Sequence, residues 1–142
     1  MIELQIEGLD RVKAEIKRIG KEAEQGVANA VKATALEVIS DVKKRIQRGP
    51  KSGRTYTRGN VSHTASAPGQ APATDTGTLA SSTYFTQSGK LSAVVGSRLA
   101  YASYLEFGTT RIKPRPSWTP AVEAAAPKLQ KRIETAIRKA AK

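Results

Sequence analysis

Residues 9–48 read LDRVKAEIKRIGKEAEQGVANAVKATALEVISDVKKRIQR, which is the longest periodic stretch of the chain. Small or apolar side chains recur in it every three or four residues, as they do on one face of an α-helix. These positions are Leu9, Val12, Ile16, Ile19, Ala23, Val27, Ala30, Thr34, Val38, Val42 and Ile46. The pattern predicts an amphipathic helix about 60 Å long if it is continuous. Gly20 and Gly26 are the places where it could bend or break, because glycine disfavours a helix interior.

The sequence on either side limits this helix. Before it, apolar and polar side chains alternate over residues 2–6, which is the two-residue period of a half-buried strand. At its far end, basic residues are concentrated where the negative end of the helix dipole would lie. Gly49-Pro50 then ends the helix, because proline cannot continue it. We therefore expect a strand followed by a long helix.

Residues 49–78 differ in composition from the rest of the chain. Gly, Pro, Ser, Thr and Ala dominate, and Val61 is the only aliphatic side chain larger than alanine. Such a segment buries too little apolar surface to offset its conformational entropy, so we expect a long mobile loop that becomes ordered against a partner. Its basic residues Lys51, Arg54 and Arg58 are candidates for contact with DNA phosphates or for the docking itself.

A β-hairpin is predicted next. Residues 79–87 and 91–97 are rich in β-forming side chains, and Ser88-Gly89 is a plausible two-residue turn between them. A short helix or turn is expected at 101–108, where Gly108 closes it.

The last part of the chain favours a second long helix. Pro114 and Pro116 keep the preceding stretch extended, and Pro120 suits a first helical turn for which Thr119 is the candidate N-cap. The helix should run to about Lys139. The expected fold is therefore a single α+β domain spanning 1–142. In it the N-terminal and C-terminal helices pack on a small antiparallel sheet, and the mobile loop is inserted between the first helix and the hairpin.

The residues that chemistry would need are scarce. The chain has no cysteine, which excludes disulfides and thiolate nucleophiles. His63 is the single histidine and has only one acid, the distant Asp75, in its own segment, so we expect no metal site and no catalytic triad. No glycine-rich phosphate-binding motif is present. We therefore expect no enzymatic activity and no cofactor.

The N-terminal sequence has neither the basic start nor the apolar run of a signal peptide. No stretch is apolar enough to cross a bilayer. We therefore expect that the protein makes no contact with a membrane and that it is synthesised in a cytoplasm.

Charge and core size both suggest an assembly component. The chain carries 24 basic and 12 acidic residues, a formal net charge of +12, and the excess lies mainly after residue 48. Such a field attracts polyanions without selecting a sequence, although a basic surface with no dedicated ligand would look the same. Only 39% of residues are hydrophobic, and oligomerisation commonly stabilises so small a core.

Two residues near the C-terminal helix have alternative interpretations. Glu106 is the only acid in a basic segment and could form a local salt bridge or bind an arginine of a neighbouring subunit. Trp118 is the only tryptophan and could fill the core or anchor a subunit contact.

Two segments carry a family resemblance. ASAPGQAPATDTGTL, residues 65–79, resembles the ASAPGE-P--DTG-L stretch of a family of tail-component proteins from lambda-like siphophages and prophages. YASYLEFGT at 101–109, followed by PRPSWTPA at 114–121, is similar to the YA-YLEFGT…PRPF--PA signature of the same family. Gln70 stands where the family usually has Glu. Ser117-Trp118 replaces the usual Phe-Leu.

The resemblance implies a non-enzymatic virion protein, made in the host cytoplasm and located where the head meets the tail. Members are variously labelled tail-completion, head–tail joining or neck proteins. We expect one copy in a homo-oligomeric ring that contacts neighbouring neck or tail proteins and, non-specifically, genomic DNA. The candidate interface residues are Tyr101, Tyr104, Glu106, Phe107, Arg115 and Trp118. The alternative is a non-specific nucleic-acid-binding protein that uses the basic C-terminal half.

Overall fold

The elements of the chain confirm the predicted α+β class. The computed structural model describes residues 1–6, 13, 17 and 20–142. In chain order the elements are β1 (Ile2–Ile6), α1 (Lys21–Arg48), β2 (Thr55–Arg58), β3 (Val61–Thr64), α2 (Thr78–Ser81), β4 (Thr83–Gly89), β5 (Ser92–Ser97), α3 (Tyr101–Phe107) and α4 (Trp118–Ala140).

The main sheet is antiparallel with the order β1-β5-β4, so the last strand in sequence lies at its centre. One face carries the row Leu4–Val95–Phe85, which packs into the core with α1. On the opposite face Gly96 lies between Glu3 and Tyr84. The Tyr84 hydroxyl crosses Gly96 and donates a hydrogen bond to the Glu3 carboxylate, which raises the pKa of Tyr84.

Helix α1 begins immediately after Gly20, whose φ of 98° lies in the region that favours glycine. The predicted break at Gly20 is therefore confirmed, and most of the helix predicted over residues 9–19 lies outside the described residues. Every member of the apolar stripe from Ala23 to Ile46 is buried. The helix ends at Arg48, as the Gly49-Pro50 pair predicted.

Helix α4 packs along α1, and the buried side chains of both helices and the sheet form one hydrophobic cluster. The two helices lie close together at Gly26, where an added Cβ would lie 2.9 Å from the Cβ of Ala136. Helix α1 is not broken at Gly26. Its missing side chain makes room for α4.

Charged side chains also join these helices. The Glu37 carboxylate accepts hydrogen bonds from Lys128 and, at 2.7 Å, from Arg132. Arg132 donates a second bond, at 2.8 Å, to the buried hydroxyl of Thr34. The hydrogen bond from Lys128, followed by that from Arg132, lowers the pKa of Glu37 below its ordinary value of 4.5.

Four local predictions need correction. Ser88-Gly89 is not the turn of the main hairpin, because Gly89 pairs with Ser92 and Lys90-Leu91 forms the turn. Residues 49–78 were expected to lack regular structure, but they contain the antiparallel hairpin β2–β3. Strand β4 begins at Thr83 rather than Leu79, because residues 78–81 form the short helix α2. Thr119 is not the N-cap of the last helix, since α4 begins at Trp118 and Ser117 holds the cap position. The mobility of 49–78 and the single-domain assignment stay predictions.

We expect Gly26→Ala to destabilise the protein, although alanine is normally the better helix former by about 1 kcal/mol. The reason is overpacking against Ala136, which typically costs about 1–3 kcal/mol. Adding Ala136→Gly should restore stability, because it removes the methyl group that the new side chain meets. Urea unfolding measures both effects. The exposed Ala33→Gly calibrates the intrinsic alanine–glycine difference in α1, and a Gly26→Ala variant more stable than the wild type would contradict the close contact.

Glu37→Gln should weaken stability by up to about 1 kcal/mol at neutral pH, as expected for a partly exposed ion pair. Because the pKa of Glu37 is lowered in the folded state, its contribution is complete above 4.5 and is lost as the pH falls through the folded-state pKa. The difference in unfolding free energy between wild type and Glu37→Gln should therefore shrink on acidification. At neutral pH the exposed Glu134→Gln should show a smaller difference.

Candidate assembly surface

Helix α3 has one buried side and one aromatic side. Ala102 and Glu106 are buried, whereas Tyr101, Tyr104 and Phe107 are 44%, 56% and 65% exposed. The exposed residues are spaced by three, so they lie along neighbouring positions of the helix surface. The chain has only four tyrosines and two phenylalanines, and half of them stand on this short helix. We call Tyr101, Tyr104 and Phe107 the aromatic face.

Glu106 holds α3 against the start of α4. One carboxylate oxygen accepts hydrogen bonds from the backbone N–H groups of Ser117 at 2.8 Å and Trp118 at 3.1 Å. The other oxygen accepts from the N–H of Thr119 at 2.7 Å. The first N–H groups of a helix have no partner within it, and a negative charge there also interacts favourably with the helix dipole. Glu106, at 4% exposure, therefore serves as a remote cap for α4.

The structure of the single chain bears on both alternatives. Among the described residues Glu106 forms no ion pair, and its carboxylate accepts the backbone N–H groups at the start of α4 instead. Trp118 is 2% exposed and belongs to the hydrophobic core. Neither side chain offers free surface to a neighbour. These two residues therefore have little exposed surface in the single chain, whereas the aromatic face is exposed, and the interface assignment of all of them stays a prediction.

The segment between α3 and α4 is a folded turn. Gly108 has a φ of 77°, and a Cβ there would lie 2.7 Å from the carbonyl oxygen of Ile112. The N–H of Thr109 donates to that same carbonyl at 2.8 Å, which closes the turn and leaves the Ile112 side chain 45% exposed. The N–H of Arg115 then donates to the carbonyl of Leu105 at 2.6 Å, so the chain returns alongside α3.

Residues 49–78, which contain β2 and β3 and are called the hairpin segment, are hydrogen-bonded to this turn. The Gly69 N–H donates to the Pro114 carbonyl at 2.9 Å. Gln70 joins the chain before β2 to the chain after β3. Its Oε1 accepts from the N–H of Ala67 at 2.8 Å, and its Nε2 donates to the Ser52 hydroxyl at 2.8 Å. Gln70 thus uses an amide N–H that a glutamate at this position would lack.

The basic residues predicted in this segment are all exposed, but they are not equivalent. Arg58 pairs with Asp75 at 3.2 Å, and Asp75 also contacts the Nδ1 of His63 at 3.1 Å. Asp75 was expected to be distant from His63, and the hairpin brings the two together. Lys51 and Arg54 make no ion pair among the residues that the structure describes.

Some of the predicted site residues are brought together and others are not. Tyr101 and Arg115 line a cleft between α3 and the hairpin segment, whose other wall includes His63 and Asp75. Tyr104 and Phe107 lie outside the lining of this cleft. Tyr56 and Ile112, which are 44% and 45% exposed, are further large exposed side chains that were not among the predicted interface residues. Their signal, an isolated large apolar residue in a polar segment, was available in the sequence.

Within the described ranges, no three His, Asp or Glu side chains are placed to hold a metal ion. Over the same ranges, no helix is both long and apolar enough to span a bilayer.

We expect Glu106→Gln to destabilise the protein by about 1–3 kcal/mol, because the amide replaces one of the accepting oxygens with a donor that faces backbone N–H groups. Glu106→Ala should cost at least as much, since it leaves all three N–H groups without their partner. Chemical unfolding measures both values. Glu123→Gln, an exposed change on α4 itself, should stay within about 0.5 kcal/mol of wild type. An equal effect of Glu106→Gln and Glu123→Gln would refute the cap.

Comparison with known proteins adds the family. Residues 6–108 match the family model described as "Bacteriophage HK97-gp10, putative tail-component". The match covers most of the chain and ends at Gly108, so α4 and the turn before it lie beyond it. Neither a curated protein nor a solved structure matches the chain. The matched region contains α1, the hairpin segment, β4, β5 and α3 but only the last residue of β1, and the chain belongs to the HK97-gp10 family of bacteriophage tail components.

Proposed function

We propose that this protein is a structural, non-enzymatic subunit of a tailed-phage virion that acts at the neck or tail end. In this proposal several copies form a ring that completes the tail or joins it to the head. Family membership supports the role as a tail component. The ring and its position are our own inference from the surface of α3. We place the protein in the host cytoplasm before assembly and, as a single domain, in the virion afterwards.

The observation that carries the proposal is the exposure of the aromatic face on a rigidly held helix. Phe107 and Tyr104 are 65% and 56% exposed in a chain with few aromatic residues. Aromatic side chains contribute strongly to protein interfaces because they bury a large area at a low cost in conformational entropy. Glu106 and the return of the chain at Arg115 fix the orientation of this face before any partner binds. Preorganisation of this kind lowers the cost of association.

The hairpin segment 49–78 is proposed as a second, flexible contact that reaches an adjacent protein or the DNA passing through the ring. Its exposed Lys51 and Arg54 could contact phosphates without reading bases. The net charge of +12 also favours the alternative of a free nucleic-acid-binding protein. Internal ion pairs count against that alternative, since Lys128 and Arg132 of the basic C-terminal half are both paired with Glu37.

The double variant Tyr104→Ser/Phe107→Ser should weaken self-association of the purified chain by at least about tenfold, because it removes the apolar contact area from the aromatic face. Sedimentation velocity over a range of concentrations measures the change. The matched control is Leu36→Ser, which removes an exposed apolar side chain from α1 and should leave assembly unchanged. Thermal melting should show all variants to be folded.

A DNA-binding titration at increasing salt concentration separates the two functions. A ring subunit should bind a short duplex weakly and oligomerise at high concentration or beside its neighbour. A free nucleic-acid-binding protein should bind the duplex tightly with a steep salt dependence and remain monomeric. Tight and steeply salt-dependent DNA binding by a monomer would overturn the proposal. It would also be overturned if Tyr104→Ser/Phe107→Ser assembled normally while Leu36→Ser did not.

A further inference from the structure

A cleft of about 210 Å³ lies between α3 and the hairpin segment. Tyr101 and Arg115 belong to one wall, and Tyr56, His63, Ser66 and Asp75 belong to the other. The two walls are joined where the Gly69 N–H donates to the Pro114 carbonyl. It has room for an inserted side chain.

Two polar atoms at this cleft lack a partner. In the part of the chain that the structure describes, Ser66 Oγ and Arg115 Nε are the buried side-chain polar atoms without a hydrogen bond. Ser66 is only 1% exposed. Leaving such a group unpaired costs about 1–3 kcal/mol, and folded proteins satisfy nearly all of them. Both of these atoms belong to residues that line the same cleft.

The nearby acids are already engaged elsewhere. Asp75 contacts Arg58 and His63, and the Glu106 carboxylate accepts three backbone N–H groups. Among the described residues Arg115 therefore has a guanidinium group without a carboxylate. A guanidinium N–H can only donate and a serine hydroxyl can donate or accept, so an acceptor satisfies both, and the charge of arginine favours an anion.

We propose that this cleft binds the acidic side chain of a neighbouring tail protein, with Arg115 as the charged donor and Ser66 as the second donor. Asp75 in the same cleft repels any anion, but it repels a DNA backbone with several phosphates more than a single carboxylate, and its pairing with Arg58 and His63 offsets part of that repulsion. The tyrosines of the lining suit the carbon chain of a protein segment. A second copy of this chain is a less suitable source, because each copy carries a net charge of +12. The inference rests on the proposed function, since it names the chemistry of a partner next to the ring.

The test selects peptides from a random twelve-residue display library on the immobilised full-length chain. We expect enrichment of peptides that carry an Asp or Glu beside apolar residues. The best peptide is then titrated against wild type and variants by fluorescence polarisation. Arg115→Gln should weaken its binding by about tenfold or more, as expected for the loss of a charge-assisted hydrogen bond. Changing the acidic residue of the peptide to its amide should give a similar loss.

Further variants test whether the peptide binds in the cleft. Ser66→Ala should weaken binding by a few-fold, in line with the loss of one neutral hydrogen bond. Arg111→Gln removes an exposed arginine from the same turn and should change affinity by less than about twofold, as expected for a charge outside the contact. Melting curves of each variant show whether it is folded. A short DNA duplex added as competitor should not displace the peptide at physiological salt.

The inference is overturned if no acidic peptide is enriched, if Arg115→Gln binds the peptide as well as wild type does, or if the duplex displaces it. None of these results depends on self-association, which sedimentation measures on the same preparation. A wild-type chain that oligomerises but binds no acidic peptide would therefore refute the cleft alone. Intact peptide binding by a chain that never oligomerises would refute only the ring.

Discussion

The arrangement of the C-terminal half depends on a single carboxylate. Glu106 satisfies three backbone N–H groups where α4 begins, and in doing so it fixes the angle between α3 and α4. Trp118 is thereby positioned in the core, and the aromatic face of α3 is directed away from it. Because the carboxylate is buried and its partners are backbone groups, no rearrangement of surface side chains can replace it. A lone acid in a basic segment is thus explained by a helix end rather than by an ion pair.

The sequence predicts those parts of the fold that repeat locally. The apolar stripe of α1 is buried at every position from Ala23 to Ile46, because its spacing alone determines which side of a helix meets the core. The strands of the main sheet follow in the same way from alternation and β-forming residues. The hairpin β2–β3 was missed because β2 is exposed along its whole length and carries no hydrophobic pattern. Its only local signal was the Gly59-Asn60 pair, a typical turn sequence within a segment whose composition suggested disorder.

The assembly surface was only partly predictable. Exposed aromatic residues on a short helix can be suspected from their spacing, and the structure places Tyr104 and Phe107 at its surface. The role of Glu106 could not be predicted, because its partners lie 11 to 13 residues further along the chain. The pairing of Asp75 with both Arg58 and His63 was hidden for the same reason. Gln70 is a different case. The glutamine itself is visible in the sequence, but its hydrogen bond to the Ser52 hydroxyl is visible only in the structure.

The closed turn after α3 has a consequence for variation among relatives. Its tip, from Thr109 to Ile112, is closed by hydrogen bonds within the tip. The chain that follows is held separately, by the bond from the Arg115 N–H to Leu105 and by the Glu106 carboxylate. Residues inserted at the tip would therefore extend outward without displacing the helix that follows. The length of this projection can therefore change while the body of the protein stays the same.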